Sequence, residues 1–352
     1  MDFGTNKILI TGANGWLGKS LIFDLLNGLR GISELKTPNN NLDIKCLVLP
    51  NEKNTKDITY NNKVSVFEGD LTSFEDCDSF LKGSRGAILF HCAGIIHPQR
   101  TKEFFDINLD GTKNILDAAV KNKIKKIIVV SSNSPCGTNF DGTRLFDETS
   151  VYNPYMEYGR SKMLMEKLVK SYYDAGKIDT VIIRPPWFYG PFQPPRQIKF
   201  YRMIRDGKVP VVGNGENLRS MAFTSNITQG LIRAAIENRA SGNTYWIADK
   251  RPYSFNEIIA IIRSVMYEEF NIRCIEKEIS LPNVFSDVAY LLDRSLQYFG
   301  FYNKEIHVLS EMNKNIACDI KKAEDELGYM PKISLYQGTK IAYEKYLKSN
   351  GS

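Results

Sequence analysis

The stretch Lys7 to Ser20, KILITGANGWLGKS, restricts the possible fold more than any other part of the chain. An apolar run with β propensity ends at Thr11, glycines follow at Gly12, Gly15 and Gly18, and an apolar helical pattern starts near Trp16 and continues to about Leu29. That pattern is strand, tight turn, helix. A glycine without Cβ lets the backbone approach a pyrophosphate, and the free amides and positive dipole end of the following helix meet its charge. The spacing is G-x-x-G-x-x-G rather than the commoner G-x-G-x-x-G. The same letters admit a second reading, in which Ala13 to Ser20 is a relaxed triphosphate loop with Lys19 on the phosphates and Ser20 on magnesium. A third reading is a glycine-rich turn that binds nothing.

At 352 residues the chain can form one large α/β domain with an appendage, or two domains, with ample core. Its 43% hydrophobic and 24% charged content is ordinary for a globular protein and indicates neither disorder nor a fibrous fold. The net charge of +6 is scattered, with no basic block interleaved with aromatics, so no nucleic-acid partner is expected. The six cysteines are far apart, no C-x-x-C occurs and the three histidines are dispersed. No metal site is therefore expected, and the thiols read as free in a reducing compartment. With no leader segment and no long apolar run, the expectation is a cytoplasmic protein without a membrane partner.

After a long polar loop over residues 31–43, Ile44 to Leu49 reads as a second strand ending at Pro50. An acid near this point would hold the adenosine ribose of NAD. Pro50 and Asn51 stand there instead, with Glu52 or Lys53 as substitutes, so NAD and NADP both stay open. Val64 to Phe67 reads as a third strand, and Asp70 beyond it is either an acceptor for an adenine amino group or a turn and N-cap residue. Ala87 to His91 reads as a fourth strand running into Cys92-Ala93-Gly94, small residues that let a strand end lie against a cofactor. Phe104 to Val120 has helical periodicity and includes Asn108, and Ile127 to Val130 reads as a fifth strand. Strands alternating with helices at this rhythm predict an α/β fold with a Rossmann-type, doubly wound parallel sheet.

The fifth strand opens onto Ser131, Ser132, Asn133 and Ser134. Ligands of such sheets bind beyond the carboxyl ends of the strands, although serines there also cap turns. Tyr158 and Lys162 follow at i and i+4 of a helical pattern, on one face. An ammonium beside a phenol favours the phenolate, which gives a general acid/base; the plainer alternative is a surface Tyr–Lys pair.

Taken in order, Gly12, Gly15 and Gly18, Asp70, Ala93-Gly94, Ser132 and Tyr158-Lys162 resemble the motifs of extended short-chain dehydrogenases/reductases, specifically the NAD-dependent epimerase/dehydratase branch. The likeness continues in Arg184-Pro185-Pro186-Trp187-Phe188-Tyr189-Gly190-Pro191, in Gly213 to Arg219 and Asn226, and in Lys322 to Pro331. The resemblance implies cofactor contacts from Gly12, Asn14, Gly15, Trp16, Leu17, Gly18, Asp70, Leu71, Cys92, Ala93, Gly94, Asn108, Tyr158, Lys162 and Pro185. It implies substrate contacts from Ser134, Trp187 and Arg219, and a homodimer. Residues 1–184 are expected to form the NAD(P)-binding domain, with roughly 223–249 returning to it. Residues 185–222 and 250–352 are expected to form a smaller substrate domain.

The expected chemistry is hydride transfer between a substrate carbinol and NAD or NADP. Tyr158 is the acid/base, Ser132 the donor to the substrate oxygen, and Lys162 the residue that lowers the phenol pKa and holds the cofactor. Asn133 and Ser134 stand where the resemblance implies that dehydratases carry acids, which disfavours dehydration. Arg219, with Arg196 and Arg202 as further candidates, suits a pyrophosphate and so a nucleotide sugar. The expected function is a nucleotide-sugar epimerase. The alternatives are an alcohol/ketone dehydrogenase of the hydroxysteroid-like branch, which Tyr245 to Asp249 and Asn226 resemble, and a non-catalytic nucleotide sensor or scaffold.

Overall fold

The computed structural model describes residues 1–29, 31–50, 52, 55–139 and 144–350. Its first half runs β1 (Lys7–Thr11), α1 (Trp16–Asn27), β2 (Asp43–Val48), β3 (Val64–Glu68), α2 (Phe74–Leu81) and β4 (Ile88–His91). One long helix follows in three parts: α3 (Lys102–Phe105), a π-helical turn at Asp106–Asp110, and α4 (Gly111–Lys121). Then come β5 (Lys126–Val130), α5 (Met156–Asp174), β6 (Asp179–Arg184), β7 (Trp187–Tyr189), α6 (Pro195–Arg205) and β8 (Pro210–Val212). The later chain contributes β9 (Leu218–Arg219), β10 (Met221–Phe223), α7 (Thr224–Ile236), β11 (Thr244–Trp246), β12 (Tyr253–Ser254) and α8 (Phe255–Phe270). It ends with β13 (Ile279–Leu281), α9 (Val284–Tyr298), α10 (Lys304–Glu311), α11 (Lys321–Leu327) and α12 (Leu335–Asn350).

Seven strands form one sheet in the order β11-β6-β5-β4-β1-β2-β3, and every pairing in it is parallel. The chain moves outward from β1 through β2 to β3, then crosses back to β4 and moves the other way. The order therefore reverses between β1 and β4, where such sheets open a ligand crevice at their carboxyl ends. Successive strand side chains alternate between two buried layers: Ile8 and Ile10 point into the layer with α1 and α7, while Leu9 points into the layer with α2, α4 and α5. A third apolar cluster joins β7, β10, α6, α8 and α12 through Tyr189, Tyr201, Phe223, Phe255, Ile258 and Tyr343.

Two buried carboxyls tie these layers together. Asp24 on α1 accepts from the hydroxyl of Thr228 on α7. Asp249 accepts from the Phe223 amide at 3.0 Å, from Asn226 Nδ2 at 2.7 Å and from the Tyr189 hydroxyl at 2.6 Å. Tyr189, Asn226 and Asp249, all within segments that carry the family resemblance, thus form a structural knot that fastens the second half of the chain to the sheet. Burial pushes each carboxyl up to about 7 despite these bonds. The unfolded chain would ionise them near pH 4, whereas the folded chain keeps them protonated until about pH 7. Their contribution therefore falls as pH rises between those values, by at most about 1.4 kcal/mol per pH unit per group. Unfolding followed between pH 4 and pH 7 is expected to show a shallower decline in stability for Asp24→Asn than for the wild type.

Candidate active site

At the reversal point, Gly12 has φ +66°, and a Cβ there would lie 2.6 Å from the Ala93 amide nitrogen. The backbones leaving β1 and β4 are in close approach, and the Cys92 amide donates to Thr11 O at 3.2 Å. At Gly18 a Cβ would lie 2.2 Å from Gly12 O, so the first turn of α1 presses directly on the glycine turn. The α1 N-cap, Gly15, supplies no side-chain hydrogen bond. The first amides of the helix thus stay available to an anion. Asn14 Oδ1 is buried in the same turn with no partner among the described residues. An uncapped helix start, a cradle too tight for side chains and an orphaned acceptor fit a dinucleotide with its pyrophosphate on α1.

The triphosphate reading does not survive. Lys19 Nζ is paired with Asp57 at 2.9 Å, and the Ser20 hydroxyl donates back to Trp16 O at 3.2 Å. Leu17 and Leu71 have buried side chains and can offer a ligand only backbone. The Trp16 indole donates to Pro191 O at 2.6 Å, which latches the glycine turn to the segment after β7. Asp70 Oδ1 accepts from the Thr72 amide at 2.9 Å, the turn role considered for it. Of the residues weighed for the ribose, Asn51 and Lys53 lie outside the described residues, and Glu52 Oε2 accepts from the Leu49 amide at 3.3 Å.

Beyond β5, the Ser132 and Ser134 hydroxyls lie 3.3 Å apart. A Cβ at Gly159 would sit 2.5 Å from Ser134 O, so this glycine lets α5 come close enough to bring Tyr158 to the serines. Lys162 is buried on the same helix and donates from Nζ to Val130 O at 3.1 Å. A Cβ at Gly94 would approach Lys162 Nζ to 3.2 Å and Asn108 Oδ1 to 3.1 Å, which puts the β4 loop, α5 and the π-helical turn in one place. Asn108 within that turn accepts from the Ile95 amide at 2.9 Å and donates to Ile95 O at 3.1 Å and Ser161 Oγ at 3.2 Å. A π-turn places one extra residue in a helix, and here it aims an amide at the strand-end loop. Pro185 is buried directly after β6, and the Cys92 thiol is pushed up to about 12 by burial, so it stays neutral.

Under the serines, the buried Glu166 carboxylate takes Arg184 in a two-point ion pair at 2.9 and 2.6 Å, and also accepts from Ser131 Oγ at 2.6 Å and the Tyr152 hydroxyl at 2.8 Å. This group joins β5, α5 and β6.

At Tyr158 burial dominates the electrostatics: it pushes the phenol up to about 12, a bond with Ser132 works against the rise, Glu311 adds to it and Arg196 opposes it. Burial draws Lys162 itself down to about 8, partly offset by Glu166. Desolvation therefore outweighs the mutual effect that helical spacing alone suggests.

Several residues near Tyr158 were not indicated by the sequence. Phe104 packs on Tyr158 with ring centroids 5.6 Å apart and on Tyr302 at 5.4 Å. His97 Nδ1 lies 2.8 Å from the Tyr302 hydroxyl, and His307 Nδ1 lies 2.7 Å from Asp293 Oδ2. Burial, with Arg196 adding to it, drives His97 down to about 3. For His307 burial works in the same direction, but the Asp293 bond and Glu311 outweigh it and hold the ring above its usual range. Of the arginines considered, Arg196 faces Tyr158 and Tyr302, whereas Arg202 bonds Tyr346 at the surface. Arg219 donates to Glu311 O, and its Nε is buried with no partner among the described residues. Trp187 packs on Phe200 at 5.6 Å within the third apolar cluster.

Because the contacts at Gly12 and Gly18 are backbone, neither can swing aside. Gly12→Ala and Gly18→Ala are expected to weaken NAD binding at least about tenfold and to cost about 2 kcal/mol or more of stability. Gly15→Ala, whose Cβ would lie 3.1 Å from Gly12 O, is expected to cost less on both counts. Cofactor titration and thermal melting of the three variants check that ranking.

A sequence model of the NAD dependent epimerase/dehydratase family matches residues 8–248. The chain is 42% identical over 348 residues to uncharacterized protein y4nL of Sinorhizobium fredii, covering 98% of this chain and 96% of that one. It is 31% identical over 220 residues to the decarboxylating sterol-4-alpha-carboxylate 3-dehydrogenase of Homo sapiens, 59% of this chain and 58% of the relative. In fold it resembles UDP-glucose 4-epimerase of Thermotoga maritima, solved with UDP-glucose, with a TM-score of 0.76 at 18% identity, over 97% of this chain and 99% of that one. With its glycine turn at the sheet reversal and a family match over most of its length, this chain belongs to the NAD-dependent epimerase/dehydratase family of enzymes.

Proposed function

We propose that this protein is a nucleotide-sugar epimerase that oxidises a substrate carbinol to a transient ketone and reduces it again on the opposite face. The observation that carries this reading is the gathering of Ser132, Tyr158 and Lys162 at the carboxyl end of β5, beside the close approach of Gly12 to Ala93. Bound NAD(P) supplies the hydride acceptor and donor. The amides of the glycine turn and α1, Asn14 Oδ1 and Lys162 are the groups that would hold it.

Tyr158 takes the proton of the substrate hydroxyl as the carbonyl forms and returns it afterwards, while Ser132 donates a hydrogen bond to that oxygen. Taking the substrate proton requires Tyr158 as the phenolate, so the phenol, which burial pushes up to about 12, first releases its own proton to solvent, and the positive charge of Arg196 favours that release. Asn133 and Ser134 offer no acid for eliminating water, and the unpartnered Nε of Arg219 supports a diphosphate-bearing substrate. A dehydrogenase that releases its ketone would use the same three groups, and the sterol dehydrogenase relative favours this as the second reading.

Titration with UDP, GDP and dTDP followed by a product assay separates these readings. An epimerase gives the inverted sugar without net reduced cofactor. A dehydrogenase releases ketone and reduced cofactor in equal amounts, with none of the three nucleotides bound. Tyr158→Phe is expected to lower turnover about a hundred- to ten-thousand-fold while leaving cofactor affinity within about twofold. A wild-type protein that turns over no sugar nucleotide or alcohol, yet binds NAD(P)H as tightly as Tyr158→Phe, would be a sensor.

A further inference from the structure

Helix α9 is built inside out. Its inward face carries Ser286, Ala289, Asp293 and Gln297, all buried. Ser286 Oγ donates to Ser310 O at 2.8 Å, Asp293 holds His307, and Gln297 bonds both Asp293 Oδ1 at 2.8 Å and the Glu157 amide at 3.0 Å. The outward stripe is apolar: Val284, Val288, Leu291 and Tyr298 are 55%, 49%, 63% and 85% exposed. Phe285, Leu292 and Phe299 flank it, also exposed. A helix on a water-facing surface normally turns these residues the other way. This many adjoining apolar side chains in water mark a surface that meets something apolar.

The surface continues past the helix. Exposed Phe301 pairs with Arg100, whose guanidinium lies 4.2 Å from the ring centroid, and the Thr101 amide donates to Gly300 O at 3.2 Å. The apolar face therefore joins the loop that carries His97 into the crevice. Arg100, Arg294 and Lys304 border it, and none has a carboxylate within ion-pair distance among the described residues. The acid on the outer half of α9, Asp287, is neutralised by Lys314 at 3.4 Å, while Glu305 is exposed at the first turn of α10.

We propose that this face docks on an anionic phospholipid bilayer. The helix lies flat, with Leu291, Tyr298 and Phe299 at the boundary between headgroups and acyl chains, and Arg100, Arg294 and Lys304 meet the lipid phosphates. An aliphatic and aromatic stripe bordered by unpaired cations suits that surface. A twofold contact with a second copy would set the same cations against one another. No helix among the described residues is long and apolar enough to cross a membrane, so the association is peripheral. The expectation of no membrane partner rested on the lack of a long apolar segment, which does not bear on a helix lying in the interface.

Sedimentation of the full chain with sucrose-loaded vesicles tests this, using phosphatidylcholine alone and a three-to-one mixture of phosphatidylcholine and phosphatidylglycerol. The expected result is binding to the mixed vesicles, about tenfold weaker on phosphatidylcholine alone and weakened by salt. The triple variant Val288→Ser, Leu291→Ser, Tyr298→Ser is expected to bind the mixed vesicles about tenfold more weakly, with unchanged melting temperature and cofactor affinity. Arg100→Gln with Arg294→Gln is expected to reduce the salt dependence. Wild-type protein that stays in the supernatant, or a triple variant that binds as well as wild type, overturns the proposal. A triple variant that converts a dimer to monomer while neither form sediments assigns the face to a second copy, and also overturns it.

Discussion

The Glu166 carboxylate is the contact on which the rest of the site depends. It lies on the helix that carries Tyr158 and Lys162, and its partners are Arg184 at the end of β6, Ser131 at the end of β5 and Tyr152 in the loop between. A buried ion pair adds little net stability over an apolar substitute, but removing one partner strands a charge at a cost of about 3–5 kcal/mol. Its service is geometric: it sets how far along the sheet α5 sits, and so where the phenol meets the serines.

Around that anchor the site follows a division between rigid and local requirements. The glycine turn was legible in the sequence because its constraint is local: spaced glycines between a strand and a helix, of which Gly12 and Gly18 must lack a side chain. The Tyr158–Lys162 spacing was legible for the same reason, since one helical turn fixes their common face. What the spacing did not reveal is how much water the fold removes from both groups. Burial is a property of the whole assembly, and at Tyr158 it outweighs the charges that would lower the phenol.

The remaining residues near Tyr158 left no mark in the sequence because the fold brings them from far apart. His97 and Tyr302 are 205 positions apart, and His307 is held by a helix whose polar residues face inward. The π-turn at Asp106–Asp110 is hidden too, because its one buried side chain is the polar Asn108 and only the backbone shows the extra residue. The doubly wound parallel sheet was the most readable layer, since alternation of strand and helix along the chain leaves few arrangements open. Tyr189, Asn226 and Asp249 carry part of the family likeness yet serve as a knot, which shows that a motif position can mark architecture as readily as chemistry.

Gly12 and Gly18 have one more consequence, and it concerns inheritance. Every amino-acid change available to a glycine codon by a single base alteration adds at least one carbon, and at these two positions the first carbon already collides with backbone. Most residues have mild neighbours through which a lineage can drift. These two have none, so the opening turn can change only if β1, β4 and α1 move apart together.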